Sequence, residues 1–308
     1  MPAQGARCRL PAHFKQKLER TPARGRVAGV VGRLGLNTIC HSAKCPNCNH
    51  CFSQGTATFL ILGNTCTRSC QFCAVAKGRP DPVDGHETQA LAQAVAELGL
   101  KYVVITSVTR DDLADGGAGH FATVVYEVRR LNPGVAVEVL TPDFQGRQEA
   151  LDNVIRSRPD VFNHNLETVA RLYPAVRPQA DYRRSLGVLA AAKRAGLTTK
   201  SGFMVGLGEE AGEIRQLMAD LAGAGCDLVT VGQYLAPSPE HVPVARFWTP
   251  QEFGELEHYG RRQLGIPSVV AGPLVRSSYA AHQSYLSIPQ PPKEETTHAA
   301  HHHHPALP

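Results

Sequence analysis

The sequence predicts an α/β fold, a partial (β/α)6 TIM-like barrel with an extension at each end. From residue 56 to about residue 270, short β-branched apolar runs alternate with helical stripes, the pattern of successive parallel βα units. Six such units occupy less chain than the ~250 residues typical of a closed eight-unit barrel. Outside that stretch the alternation lapses. A doubly wound sheet fits the same periodicity, and in either topology the ligand site lies beyond the carboxyl ends of the strands.

Residues 56–63 (TATFLILG) are short and apolar, hence a buried strand. Residues 87–99 place Ala90, Leu91, Ala94, Val95 and Leu98 on one stripe closed by Gly99, a helix with a glycine C-cap. Strand 102–108, helix 120–131, strand 136–141 and helix 145–157 follow, the first helix stopped by Asn132-Pro133-Gly134. Next come strand 160–167, helix 181–195 ended by Gly196, strand 198–205 and helix 209–224 ended by Gly225. A sixth strand at 227–235, a helix at 250–264 and a short final strand at 268–271 complete the series. The chain therefore divides into an N-terminal extension (1–56), the barrel (57–270) and a C-terminal extension (271–308), the extensions laid over the barrel. The tail from Ile288 is Pro-rich, then His-rich at His298 and His301 to His304, a composition expected to be disordered.

Lys plus Arg number 32 against 27 Asp plus Glu in 308 residues, a formal net charge of +5. The basic residues are scattered and aromatics make up only 6%, so nothing favours a nucleic-acid surface. No apolar run reaches the ~18 residues that span a bilayer. The Arg-rich first forty residues hold no apolar core with a cleavage site, which excludes a secretory signal peptide. The expectation is a cytoplasmic protein without nucleic-acid or membrane partners.

Nine cysteines stand out, seven of them between Cys40 and Cys73. In a chain of this size and compartment such clustering points to metal or catalysis rather than disulfides. Cys66-Thr-Arg-Ser-Cys70-Gln-Phe-Cys73 follows the first strand directly, so its loop lies at the barrel mouth. Three thiolates there hold three irons of a four-iron cluster and leave the fourth open for a ligand. A closed structural zinc site would want four ligands. Cys40-His-Ser-Ala-Lys-Cys45-Pro-Asn-Cys48-Asn-His-Cys51 is less decisive. Cys45 and Cys48, with His41 and His50 nearby, also suit zinc. Cys226 reads as a small core residue and Cys8 as a free surface thiol.

The C-x3-C-x2-C loop after a first strand resembles the radical S-adenosylmethionine (SAM) superfamily. That resemblance implies an open iron chelated by the amino and carboxylate groups of SAM, whose cleavage yields a 5′-deoxyadenosyl radical that removes hydrogen from unreactive carbon. More specifically, 55–63 (GTATFLILG), 106–121 (TSVTRDDLADGGAGHF), 162–168 (FNHNLET), 200–209 (KSGFMVGLGE) and 272–279 (GPLVRSSY) resemble the lipoyl synthase family over about residues 37–281. The resemblance implies a second, auxiliary [4Fe-4S] cluster on Cys40, Cys45, Cys51 and Ser278, the source of sulfur inserted at C6 and C8 of an octanoyl chain on a carrier-protein lysine. It implies partners as well: an octanoylated lipoyl-carrier protein of the 2-oxoacid dehydrogenase E2 or glycine-cleavage H-protein type, a reductant such as flavodoxin or ferredoxin, and an iron–sulfur carrier.

An octanoyl C–H bond has no activating neighbour, so acid–base chemistry cannot open it. The resemblance thus implies one cluster that makes the radical and a second that faces it across the substrate. Among weaker signals, Thr106 and Ser107 at a strand end offer hydroxyls to the SAM amino group, as an alternative to turn chemistry. Asn165 and Glu167 end the fourth strand, where a carboxylate suits ribose hydroxyls. Arg183 offers a guanidinium to the SAM carboxylate, as an alternative to a solvated helix charge. Lys200 points either into the barrel mouth or to its wall. The chain departs from the family pattern at His41-Ser42, at Cys48 and His50, and at Ala236 where an Arg is usual. These changes spare all six cluster cysteines. They keep open a divergent sulfur-inserting enzyme with another substrate; a zinc-stabilised binding module is the non-enzymatic alternative.

Overall fold

The computed structural model describes residues 10–14 and 21–289. Cys8 and the His-rich tail lie outside the described residues. An N-terminal segment carries α1 (Pro22–Arg33), the two-residue strand β1 (Asn37–Thr38) and two short helices, α2 (Ile39–Ser42) and α3 (Cys48–Ser53). The barrel begins with β2 (Thr58–Ile61), followed by a small parallel pair, β3 (Thr65–Cys66) and β4 (Ala76–Lys77). Next come α4 (Glu87–Leu98), β5 (Tyr102–Ser107), α5 (Ala118–Leu131), β6 (Ala136–Leu140), α6 (Gln148–Arg156), β7 (Val161–Asn163), α7 (Tyr173–Val176) and α8 (Tyr182–Arg194). The chain continues through β8 (Thr198–Val205), α9 (Ala211–Gly223), β9 (Leu228–Gln233), α10 (Pro250–His258), β10 (Ser268–Gly272) and α11 (Ala281–Leu286).

The main sheet runs β1-β2-β5-β6-β7-β8-β9-β10, and every pair after the antiparallel β1–β2 is parallel. It is an open βα array, because β2 pairs with β1 and β5 and not with β10. β2 and β9 are buried along their whole length, as expected of parallel strands covered on both faces. Phe59, Ile61, Ile105 and Val139 are among the fully buried side chains, each contributing about 1.5–3 kcal/mol. Helix ends follow local chemistry. Gly99 caps α4 at φ 64°, Asp181 accepts from the Arg184 amide at the start of α8, and Thr249 and Glu252 form a capping box on α10. Among the described residues no helix is long and apolar enough to cross a membrane.

The structure bears out the final strand and corrects three other element readings. The final strand is a full member, paired with β9 from Ser268 to Gly272. The fourth strand stops at Asn163 and regains only one bridge, Glu167 to Phe203, because the chain kinks through 164–166. The helix expected at 145–157 starts at Gln148, since Asp143 accepts the Gln145 amide and Phe144 and Gln145 both take positive φ. The helix expected at 250–264 changes to a π turn after His258.

The C-terminal extension also differs from a cover laid on the outside. Tyr285 and Ile288 pack with Tyr102, Ala136, Val161 and Leu228, which open β5, β6, β7 and β9. Helix α11 therefore closes the N-terminal end of the barrel. Lys200 Nζ lies 3.0 Å from both oxygens of buried Glu138, so Lys200 is buried inside the barrel rather than at its mouth or in its wall.

Candidate active site

The 66–73 loop hangs from the end of β2 and is stapled to its neighbours. Thr67 N–H donates to Thr109 O, Gly78 N–H to Cys66 O, and Gln71 N–H to Val176 O. The Cys66 sulfur accepts two backbone N–H groups, from Arg68 and Thr109, at 3.4 Å each. Such N–H···S bonds stabilise a thiolate and tune any cluster it holds. Arg68 forks onto Asp111 and reaches Asp143, which also receives Arg184. Burial pushes the Asp143 carboxyl up, but Arg68 outweighs it and holds the group below the usual carboxylate range.

The second cysteine group is built differently. Cys40 lies in α2, Cys45 in the following turn and Cys51 in α3. The Asn47 side chain reaches the C-terminal segment, donating to Leu274 O at 2.6 Å, and the His50 ring lies 6.2 Å from that of Tyr279. The 273–279 turns thus sit against the 40–51 segment. Burial pushes the Cys40 thiol up to about 12 and the Cys51 thiol up to about 11, with the neighbouring thiols adding to it. Cys73 likewise rises to about 12 through burial. Metal binding must displace those protons, and iron's affinity for thiolate supplies the driving force.

Both groups open into one cavity of about 520 Å³. Its lining includes Cys40, Cys45, Cys51 and Ser278 together with Cys66, Cys70 and Cys73, and also Thr106, Ser107, Asn165 and Glu167. All eight described cysteines are free thiols. Among the described residues no three His, Cys, Asp or Glu side chains converge as ligands of one metal ion. Thiols spread in triplets suit a four-iron cluster, in which each binds its own iron. The cavity also suits a polar, zwitterionic ligand. Four lining residues carry buried polar atoms without hydrogen-bond partners: Ser107 Oγ, Thr141 Oγ1, His164 Nε2 and Arg177 Nε.

Glu167 has φ 66°, a left-handed conformation that costs about 1–3 kcal/mol in a non-glycine residue. The kink before it aims its carboxylate into the cavity. Burial pushes this carboxyl up and Arg177 opposes the rise. Thr106 Oγ1 is already committed to Leu140 O at 3.0 Å, so of this adjacent pair only Ser107 has an unpartnered hydroxyl.

Arg183 is exposed on α8 and does not line the cavity. The arginine that does is Arg177, held by the carbonyls of Asn165 and Leu166 at 2.9 Å and stacked 5.1 Å from the Tyr173 ring centroid. Sequence reasoning missed Arg177, Arg276 and His164. The FNHNLET segment was the one available signal for His164; nothing in local pattern marks Arg177, which arrives through the loop after β7. Arg276 lines the cavity; burial pushes its guanidinium down, while Cys45 and Glu167 oppose the fall. Cys48, unlike its three neighbours, is not part of the lining. Ala236 is.

Comparison with known proteins places the chain. The Radical SAM superfamily model matches residues 60–221. A lipoyl synthase of Caldanaerobacter subterraneus subsp. tengcongensis is 54% identical over 258 residues, covering 83% of this chain and 90% of the relative. One from Rubrobacter xylanophilus is 53% identical, with 89% and 85% covered. Among solved structures, methylornithine synthase (PylB) superposes with a TM-score of 0.50 at 14% identity, covering 83% of this chain and 84% of that one. Streptococcus suis SuiB bound to S-adenosylmethionine gives 0.55 at 12% identity over 73% of this chain, which spans 54% of SuiB's length; both likenesses concern the fold. The chain belongs to the lipoyl synthase family of radical SAM proteins.

Proposed function

We propose that this chain inserts two sulfur atoms, at C6 and C8, into an octanoyl group carried on a lysine of a partner protein. Family membership makes it a radical SAM sulfurtransferase with [4Fe-4S] clusters and SAM as cofactors. In this reading Cys66, Cys70 and Cys73 hold the radical cluster, and Cys40, Cys45, Cys51 and Ser278 hold the auxiliary one. The single observation that carries it is that both cysteine triplets and Ser278 line one cavity. When bound, these groups supply hydrogen abstraction from unactivated carbon and the sulfur atoms themselves.

The protein's own residues bind, orient and exclude water. Arg177, with an unpartnered Nε, suits a carboxylate, and replaces Arg183 in that role. Ser107 suits an ammonium. Asn165 and Glu167 suit the ribose hydroxyls. The apolar side chains of Leu60, Phe72 and Val275 also line the cavity and suit an alkyl chain. The natural partners in this reading are an octanoylated E2 domain or H protein, a flavodoxin or ferredoxin reductant, and an iron–sulfur carrier, in the cytoplasm.

The test is single-turnover mass spectrometry on anaerobically purified protein. We expect about eight irons per chain, from two four-iron clusters, with two sulfur atoms added to octanoyl-lysyl carrier protein. Deoxyadenosine without any sulfur insertion, on carrier and octanoyl peptide alike, would overturn the substrate assignment.

A further inference from the structure

The segment after β10 does not rest on the barrel; it enters it. Two glycines clear its path on neighbouring strands. A Cβ at Gly232 would fall 2.0 Å from the Val275 carbonyl oxygen; one at Gly202 would fall 2.6 Å from Thr230 Oγ1 on the adjacent strand, 3.0 Å from Asn165 Oδ1 and 3.3 Å from Ser277 Oγ. Contacts below 3 Å with backbone cannot be absorbed by a side-chain shift, so a side chain at position 232 would displace the segment itself.

Once inside, Ser277 is held from two sides. Asn163 Nδ2 donates to Ser277 Oγ at 3.2 Å, and Ser277 Oγ donates to Asn165 Oδ1 at 2.7 Å. These bonds belong to a longer chain whose direction is forced from one end. Lys200 and the Tyr102 hydroxyl both donate to Glu138, so both Glu138 oxygens act as acceptors. Asn163 must then turn its NH2 toward Glu138, 2.7 Å away, because its carbonyl there would meet an acceptor. The same NH2 faces Ser277, so the Ser277 proton goes to Asn165 Oδ1. Asn165 in turn presents its NH2 to Glu167 at 2.9 Å. A fully buried Lys–Glu pair contributes little net stability; here it fixes the orientation of every group up to the cavity.

We propose that Ser277 is a positioning residue: clasped between Asn163 and Asn165, it seats the C-terminal segment so that Ser278 faces Cys40, Cys45 and Cys51. The inference rests on the proposed reading of Ser278 as the fourth ligand of the auxiliary cluster. The two serines divide the work. Ser277 spends its hydroxyl on two asparagines, and its neighbour lines the cavity with the cysteines. A hydroxyl is a hard, weak partner for cluster iron, so the protein must hold it in place rather than rely on the bond. The clasp also joins the Ser278 turn to Glu167 through one side chain, Asn165.

The test compares Ser277→Ala with the parent as holoenzyme, by the rate at which a ferrous chelator removes iron and by deoxyadenosine formed per lipoyl group. Loss of a residue that orients a metal ligand typically costs about 10–100-fold in affinity or activity. We expect about tenfold faster loss of one set of four irons, unchanged loss of the other set, and about tenfold more deoxyadenosine per product. Gly232→Ala, which deletes no hydrogen bond but moves the segment, should reproduce both effects. Parental iron release in both variants would overturn the clasp, as would equal acceleration of both sets of irons, which marks general destabilisation. Ser278→Ala serves as a control: if it leaves iron release untouched, the ligand reading has failed. A parent that makes no lipoyl product fails the substrate reading alone, since iron release still tests the clasp.

Discussion

Each of the two cysteine segments brings three thiols to the cavity wall, yet the chain builds them in opposite ways. The 66–73 loop is local. It leaves one strand and is stapled by backbone bonds to residues 109 and 176 and by the Arg68 bridges. The 40–51 segment draws a partner from far along the sequence, through a bond between residues 227 positions apart. A local loop takes its shape from the strand that carries it. A long-range site exists only when the C-terminal segment is seated, so the two sites should fail independently and for different reasons.

The largest expected effect is on the local side. Cys70→Ala should abolish SAM cleavage and lipoyl formation and remove about four irons per chain, leaving the auxiliary set in place. Iron analysis and deoxyadenosine assay check this; loss of all iron would mean that the two sites are not independent.

Second is Ser278→Cys, on the long-range side. A fourth thiolate should hold iron more firmly than a hydroxyl. We expect about eight irons and intact SAM cleavage, with sulfur insertion reduced sharply. Lipoyl formation at the parental rate would remove easy iron release as the serine's purpose.

Third, the buried charges behind the local loop set its stability. Asp143→Ala leaves Arg68, itself buried, without one of its carboxylates. Breaking such a pair costs about 3–5 kcal/mol, read as a lower midpoint in anaerobic denaturation. Iron at the 40–51 site should remain.

Acid sharpens the same point through His164. Burial pushes this imidazole down to about 4 from an ordinary 6.5. Between those values the unfolded chain binds the proton and the folded one does not. The contribution is therefore complete above pH 6.5 and is lost as pH falls toward 4, by about 3 kcal/mol at most. His164→Asn should flatten that part of the stability–pH curve; an unchanged slope would show that another group carries it.

The smallest expected effect is at Cys48, which lies between two proposed ligands but outside the cavity lining. Cys48→Ala should keep its full iron content and its lipoyl product. Loss of four irons would move the cluster onto Cys48 and dissolve the contrast drawn between the two loops.

Much of this was legible before any coordinates. The strand–helix series could be followed because parallel strands buried on both faces read as short apolar runs, as 102–108 and 198–205 do, and because glycines such as Gly99 end their helices. Ser107 was legible as a strand-end residue, whereas Asn165 and Glu167 reach the cavity beyond a strand that stops at Asn163. Arg183 misled because periodicity says that a residue lies on a helix, not that the helix face reaches a cavity. Arg177 was invisible because a loop residue carries no period.

What the sequence determined by itself is what depends on neighbours along the chain: the thiol spacings, the helix caps and the order of βα units. These follow from geometry repeated every few residues. Only the tertiary structure decided that both cysteine groups open into one cavity, that Lys200 turns inward to Glu138, that Glu167 is held at φ 66°, and that the C-terminal segment passes into the barrel beside Gly202 and Gly232. Each of these joins residues from different elements, and no local pattern encodes a contact between segments brought together only when the sheet curls and the tail is seated.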